Sequence, residues 1–196
     1  KVLIAMPALA DPNFFRTIVL LGSHSREGGA FGLVMNRPSE IPLEVVLEQI
    51  GVTDRPTNSP RVLSGGPVQP EQGFVIVEGS SFPLEETDLE GANFTISGRT
   101  EVLEELALGR LDRRFNLCLG YSGWAPGQLE FEIEANSWLI APATNELLFH
   151  TPYEERWNAA LDSIGVDPGT LVDLGGGQPV DQQGRKQDVV RGPFGL

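Results

Sequence analysis

The residues best suited to chemistry gather in one stretch, Leu117 to Glu130, which reads L-C-L-G-Y-S-G-W-A-P-G-Q-L-E. Tyr121, Trp124 and Gln128 are the types that line a groove for a peptide or small ligand, since amphipathic rings offer broad apolar surface with a polar tip, with core packing the plainer role for Trp124; Ser122 and Glu130 complete the candidate binding set of this stretch. Ser122 invites comparison with a hydrolase nucleophile. The strained elbow that presents such a serine needs Gly where Trp124 stands, and the only available bases are His24 and His150. A turn serine bonded to nearby backbone is therefore expected. Arg16, Asn36 and Arg37 form a second group beside Pro38. They suit either an anion or the pinning of loops, with an ion pair to one of the many carboxylates as the plainer role.

Other chemistries fail on their residue sets. Two His and one Cys do not make a zinc site. Glu85, Glu86, Asp88 and Glu90 lack the alternation, closed by Gly and Glu, of a calcium loop, so a solvated loop is expected. Gly175 to Gly177 lack the strand, Lys and helix of a phosphate loop. Cys118, between Leu117 and Leu119, reads as a buried, inert thiol. No cofactor or metal is expected, and no catalytic residue is assigned.

Charge narrows the partners. Twenty-seven acidic against 14 basic residues give a net charge of −13, which repels phosphodiester backbones and anionic lipid. Arg110, Arg113 and Arg114, or Arg185 and Lys186, are too few to overcome that field, so direct nucleic-acid binding is not expected. No apolar run approaches the roughly 18 residues of a membrane span. A single cysteine fits a reducing compartment, read as the cytoplasm. The expected partner is an unidentified protein.

These residues must be positioned by a mixed set of elements. Val2 to Met6, Arg16 to His24 and Ala30 to Met35 read as strands, the last two forming a hairpin across Ser25 to Gly29. Leu43, Val46, Leu47 and Ile50 share a helical face, with Pro42 at the start and Gly51 as stop. Arg61 to Ser64 and Gly73 to Glu78 read as strands that pair around Gly65 to Gln72. Phe94 to Ser97 is another strand. Thr100 is expected to cap a helix that ends at Gly109. Phe115 to Tyr121 is the strand that delivers the aromatic stretch. Leu129, Phe131 and Ile133 alternate, which leans to strand although Leu129 and Ile133 also share a helical face. Ser137 to Ala141 is a strand, and Thr151 with Glu154 suggests a capping box ahead of a helix carrying Trp157, Ala160, Leu161 and Ile164 and closed by Gly165. No repeat or internal linker divides the chain. The expected organisation is one domain over 1–168 and an irregular Gly-rich tail over 169–196, which is available for self-association.

Several motifs occur in order: Met6-Pro-Ala-Leu with Asp11, Pro12, Asn13 and Phe14; Gly32-Leu-Val-Met-Asn36-Arg37-Pro38; Gly65-Gly66-Pro67-Val68 with Gly73-Phe74-Val75; and Leu119-Gly120-Tyr121-Ser122-Gly123-Trp124, followed by Pro126-Gly-Gln-Leu-Glu130 and Asn136-Ser137-Trp138-Leu139. Across Val2 to Pro168 the chain resembles the YqgE/AlgH family of largely uncharacterised bacterial proteins. The resemblance implies a single α+β domain with a bifurcated mixed β-sheet, part of it curled into a small barrel, surrounded by helices. It also implies that Gln128 to Ala135 is helical, against the alternation, and the helix is adopted here. One member has been linked to control of alginate production, which gives some relatives the label of transcriptional regulator. The tail after Pro168 departs from the family pattern.

Two functions stay open at this stage. One is a non-enzymatic regulatory or binding module that meets a partner protein through Tyr121 to Glu130 and Asn36 to Pro38. The alternative is a small-ligand or anion receptor, or an undetected enzyme, using Arg16, Arg37 and carboxylates in a pocket.

Overall fold

The computed structural model describes residues 1–9, 11–53, 59–79 and 93–172. Eight strands form one sheet in the order β6-β5-β7-β3-β2-β1-β8, with β4 also paired to β7. The strands are β1 (Val2–Ala5), β2 (Ile18–Ser25), β3 (Gly29–Val34), β4 (Val62–Ser64), β5 (Val68–Glu78), β6 (Phe94–Ser97), β7 (Phe115–Trp124) and β8 (Trp138–Ala141). The helices are α1 (Leu43–Gln49), α2 (Thr100–Ala107), α3 (Gln128–Glu134), α4 (Arg156–Asp162) and α5 (Pro168–Val172), and a π-helical turn spans Glu146–His150. Among the described residues no helix is long and apolar enough to cross a membrane.

β7 is the spine, and the sheet forks along it. Its first half, Leu117 to Leu119, lies parallel to β4, while Ser122 to Trp124 pair antiparallel with β3. Gly65 fills the fork, donating to the Leu119 carbonyl at 2.8 Å and accepting from the Val34 amide at 2.8 Å. β4 and β5 therefore flank β7 instead of pairing with each other, because the short Gly65-Gly66-Pro67 link carries the chain across the spine. Among the described residues the one parallel ladder is that of β4 with β7, so the sheet is mixed, as the resemblance implied. It is not closed into a barrel: β6 and β8 end the order, and no ladder joins them among the described residues.

On its other side β7 meets β5 through a wide bulge. Val68 pairs with Tyr121 and Gly73 with Leu119, so residues 69–72 loop out opposite Gly120. Gly120 holds φ 71°, and a Cβ there would stand 2.5 Å from the Gly66 carbonyl oxygen. Glycine is required at this point. The bulge also shifts side-chain parity, so Cys118 and Tyr121, three residues apart, contribute to the same apolar cluster.

The core lies on both faces. In β1 the alternate residues Val2 and Ile4 enter one cluster and Leu3 and Ala5 another, so this strand is buried on both sides. The first cluster is covered by α4 through Trp157, Ala160 and Leu161, and the second, with Trp124 and Trp138, by Leu129 of α3. A third lies under α1 and α2, where Leu43, Leu47, Leu103 and Leu106 meet Val75, Val77 and Leu117 of the sheet.

The helix adopted over Gln128 to Ala135 is present as α3 (Gln128–Glu134), started by Gly127 in the left-handed region and closed by Asn136 at φ 58°, while other local expectations change. Alternation misleads here because Phe131 is solvent-exposed while Glu132 turns inward. Thr100 is the first residue of α2 and not its cap; Arg99 holds that position without a side-chain bond. No capping box forms at Thr151, whose hydroxyl donates to the Glu146 carbonyl at 3.0 Å and ends the π-helical turn, so α4 begins only at Arg156. Pro168–Val172 is helical and not irregular, since Leu171 is buried in the first cluster. The acidic loop expected at Glu85 to Glu90 and the remainder of the tail lie outside the described residues.

Candidate functional site

Trp124 ends β7 and Trp138 opens β8. Both are buried, and their rings meet edge to face with centroids 5.9 Å apart. Phe14 joins them, 6.2 Å from Trp124 and 5.3 Å from Trp138. The two indole N–H groups converge on one carboxylate. Trp124 Nε1 donates to Glu132 Oε2 at 2.9 Å, Trp138 Nε1 donates to the same oxygen at 2.7 Å, and Gln128 Nε2 donates to Glu132 Oε1 at 2.9 Å. Gln128 in turn accepts from the Ala125 amide at 3.0 Å. Helix α3 is thus clamped onto the sheet by charge-assisted hydrogen bonds.

The second group fastens the loop that carries Phe14. Arg37 donates to the carbonyls of Pro12 at 3.3 Å, Asn13 at 2.6 Å and Phe15 at 3.3 Å. Asn36 accepts from the Ile18 amide and donates to the Arg16 carbonyl, each at 2.9 Å. That bond secures Arg16 at φ 51°, a left-handed conformation that side chains adopt at a cost. The Arg16 guanidinium lies 5.1 Å from the Trp157 ring centroid. Asn36, Arg37 and Trp124 are therefore linked through Phe14 and its loop, with Arg37 bonded to backbone carbonyls where an ion pair was the plainer expectation.

Tyr121 and Ser122 belong elsewhere. Tyr121 stacks in a separate cluster with Phe31 at 5.3 Å and Phe74 at 5.9 Å. Ser122 is fully buried and donates to the Gly65 carbonyl at 3.3 Å, sealing the fork. Glu130 pairs with His24 at 3.0 Å, tying α3 to β2. A backbone hydrogen bond within its own residue holds the Glu130 carboxyl below the usual range; burial opposes this, and His24 adds to it.

Two further polar groups, Cys118 and Arg156, are buried. Burial pushes the Cys118 thiol up to about 12, so it is protonated at neutral pH. Arg156 is buried, donating to the Met35 and Thr151 carbonyls and lying 4.4 Å from the Tyr153 ring centroid. Burial pushes its guanidinium down to about 10, which leaves it charged at neutral pH. Among the described residues no group of three or more His, Cys, Asp or Glu side chains could hold a metal ion.

A concavity lies apart from the clamp. A groove of about 510 Å³ opens between α1 and α2, with Val46, Ile50, Val75, Leu103, Leu117 and Leu119 along its floor. The β5 bulge supplies one wall through Pro70, Glu71 and Gln72. Leu117 and Leu119 of the opening stretch line it, but none of Arg16, Asn36, Arg37, Tyr121, Ser122, Trp124, Gln128 and Glu130 does. Those residues also gave no hint of Glu132, Phe14 or Trp138 as a unit; the one available signal is the i, i+4 spacing of Gln128 and Glu132, visible only once the segment is read as helix.

A family model described as AlgH-like matches residues 2–169. UPF0301 proteins of Xanthomonas oryzae and Xanthomonas euvesicatoria are each 44% identical over 178 residues, which is 90% of this chain and 94% of theirs. The solution structure of the AlgH protein from Pseudomonas aeruginosa is 40% identical with a TM-score of 0.68, covering 87% of this chain and 90% of that one. The crystal structure of protein DIP2367 from Corynebacterium diphtheriae, 22% identical with a TM-score of 0.63 and 87% of each chain covered, shares the fold. On the extent of the family match and the identity of these relatives, the chain belongs to the AlgH-like family.

Proposed function

We propose that this protein is a non-enzymatic regulatory or binding module that acts by contact with a partner protein. The observation that carries the reading is the presentation of two exposed phenylalanines on fastened elements. Phe131 is 71% exposed on α3, the helix clamped by Glu132, and Phe15 is 58% exposed on the loop held by Arg37. Large exposed rings on a rigid support favour association, because little side-chain and loop entropy remains to be lost. The polar residues that suggested catalysis make hydrogen bonds within the chain, which leaves the enzyme reading without a nucleophile and base in contact.

Any role in transcription would run through that partner and not through DNA, given a net charge of −13. The lone buried thiol fits action in the cytoplasm. The test is affinity capture with the intact chain and with a Phe15→Ser, Phe131→Ser double variant, both confirmed folded by circular dichroism. The double variant is expected to lose specific partners that the parent retains. Identical partner sets would refute the contact surface.

A further inference from the structure

We propose that the groove between α1 and α2 binds a small amphipathic anion, an aliphatic tail headed by a carboxylate, with the tail along the floor and the head at Arg99. This site is separate from the phenylalanine surface and goes beyond the partner reading.

The volume of about 510 Å³ falls in the range of small-molecule sites. Val46, Ile50, Val75, Leu103, Leu117 and Leu119 give it an aliphatic lining, and among the described residues no aromatic ring lines the groove. Such a surface offers dispersion contact and desolvation to a flexible hydrocarbon chain but no stacking platform for a planar ring.

The cation among the described residues that line the groove is Arg99, at the N-cap of α2; it pairs with Glu101, Nε 3.6 Å from the carboxylate, and both side chains are well exposed. An exposed pair of that kind is weak and yields to a competing carboxylate. Thr100 lines the same end; α2 has no side-chain cap, and while the Val102 amide bonds the Arg99 carbonyl at 3.3 Å, the positive end of the helix faces this rim. Glu71 is the acidic group on the facing wall, and Glu101 stands beside Arg99. With those two carboxylates near, a compact single charge is accommodated and a polyphosphate is not.

Calorimetric titration of the full chain with decanoate, decanol and decylammonium, each below its micellar concentration, tests the proposal. Decanoate should bind saturably with one-to-one stoichiometry, and decanol and decylammonium at least about tenfold more weakly. Arg99→Gln, at an exposed position, should weaken decanoate about tenfold and leave decanol unchanged. Val46→Trp, filling the floor, should abolish binding of both, and Phe131→Ser should change neither. The proposal is overturned by absence of saturable decanoate binding, by decylammonium or decanol binding as tightly, or by decanoate affinity that Arg99→Gln does not alter. Should Val46→Trp fail to fold, the Arg99→Gln result decides alone.

Discussion

The clamp around Glu132 and the groove beneath α1 and α2 sit on the same sheet and are built on opposite terms. In the clamp, two indoles and an amide surround one carboxylate and the space is filled. In the groove, aliphatic side chains line a volume of about 510 Å³ that the fold leaves open. Residue types that suggest chemistry are thus concentrated where the protein holds itself together, while the space for a ligand lies where the side chains are plain. The difference has a physical origin. A polar group in a core must be satisfied internally, whereas an open site needs backbone displaced from the layer above it, which the β5 bulge opposite Gly120 supplies.

The contrast can be broken by substitution, and the largest effect is expected in the clamp. Trp138→Ala removes a ring that is 2% exposed and leaves a cavity, so unfolding free energy measured in urea should fall by about 3–5 kcal/mol. A loss below about 1 kcal/mol would mean that the cluster is loosely packed. Glu132→Ala leaves both indole N–H groups without their acceptor and should destabilise by about 2 kcal/mol. By contrast Val46→Ala trims a half-buried side chain beside open space and should cost less than about 1 kcal/mol in the same assay. Equal losses at Glu132 and Val46 would erase the distinction between the two regions.

The smallest effect concerns the edge of the clamp and depends on pH. The Glu130 carboxyl is lowered from its ordinary value of 4.5, so the folded state favours its charged form. Its contribution is present above that ordinary value and is lost as pH falls through the lowered folded value. The stability difference between the parent chain and Glu130→Gln should therefore vanish on acidification through that window. Because the group is exposed the difference is small, and a difference that grows with acid would contradict the assignment.

Much of the scaffold was legible from hydrophobic period and turn residues. The runs at Val2, Ile18 and Ala30 became β1 to β3, and the helix stops at Gly51 and Gly109 both hold positive φ. What misled was local pattern set against tertiary context. Leu129, Phe131 and Ile133 alternate, yet Gly127 and Asn136 supply the left-handed ends of a helix and the tryptophans demand Glu132 on its inner side. Strands β4 and β5 look like a hairpin in sequence, but both pair with β7 and lie on either side of it.

Among the candidate residues, the association of Asn36, Arg37 and Trp124 emerged through Phe14, which no sequence spacing displays. Tyr121 separated from Trp124 because strand residues three apart face opposite ways, while Ser122 is taken up by the Gly65 carbonyl at the fork. The groove was not legible at all, since a bulge and the docking of two helices create it from ordinary aliphatic residues.

The account rests on Glu132 serving as the shared acceptor of two indoles, and hydrogen exchange of the indole protons followed by nitrogen-resolved NMR reads that directly. In the parent chain the Trp124 and Trp138 Nε1 protons should exchange far more slowly than an exposed indole, and in Glu132→Ala both should accelerate while Trp157, bonded to the Ala5 carbonyl, stays protected. Rapid exchange at Trp124 and Trp138 in the parent, or protection unchanged in Glu132→Ala, would contradict it.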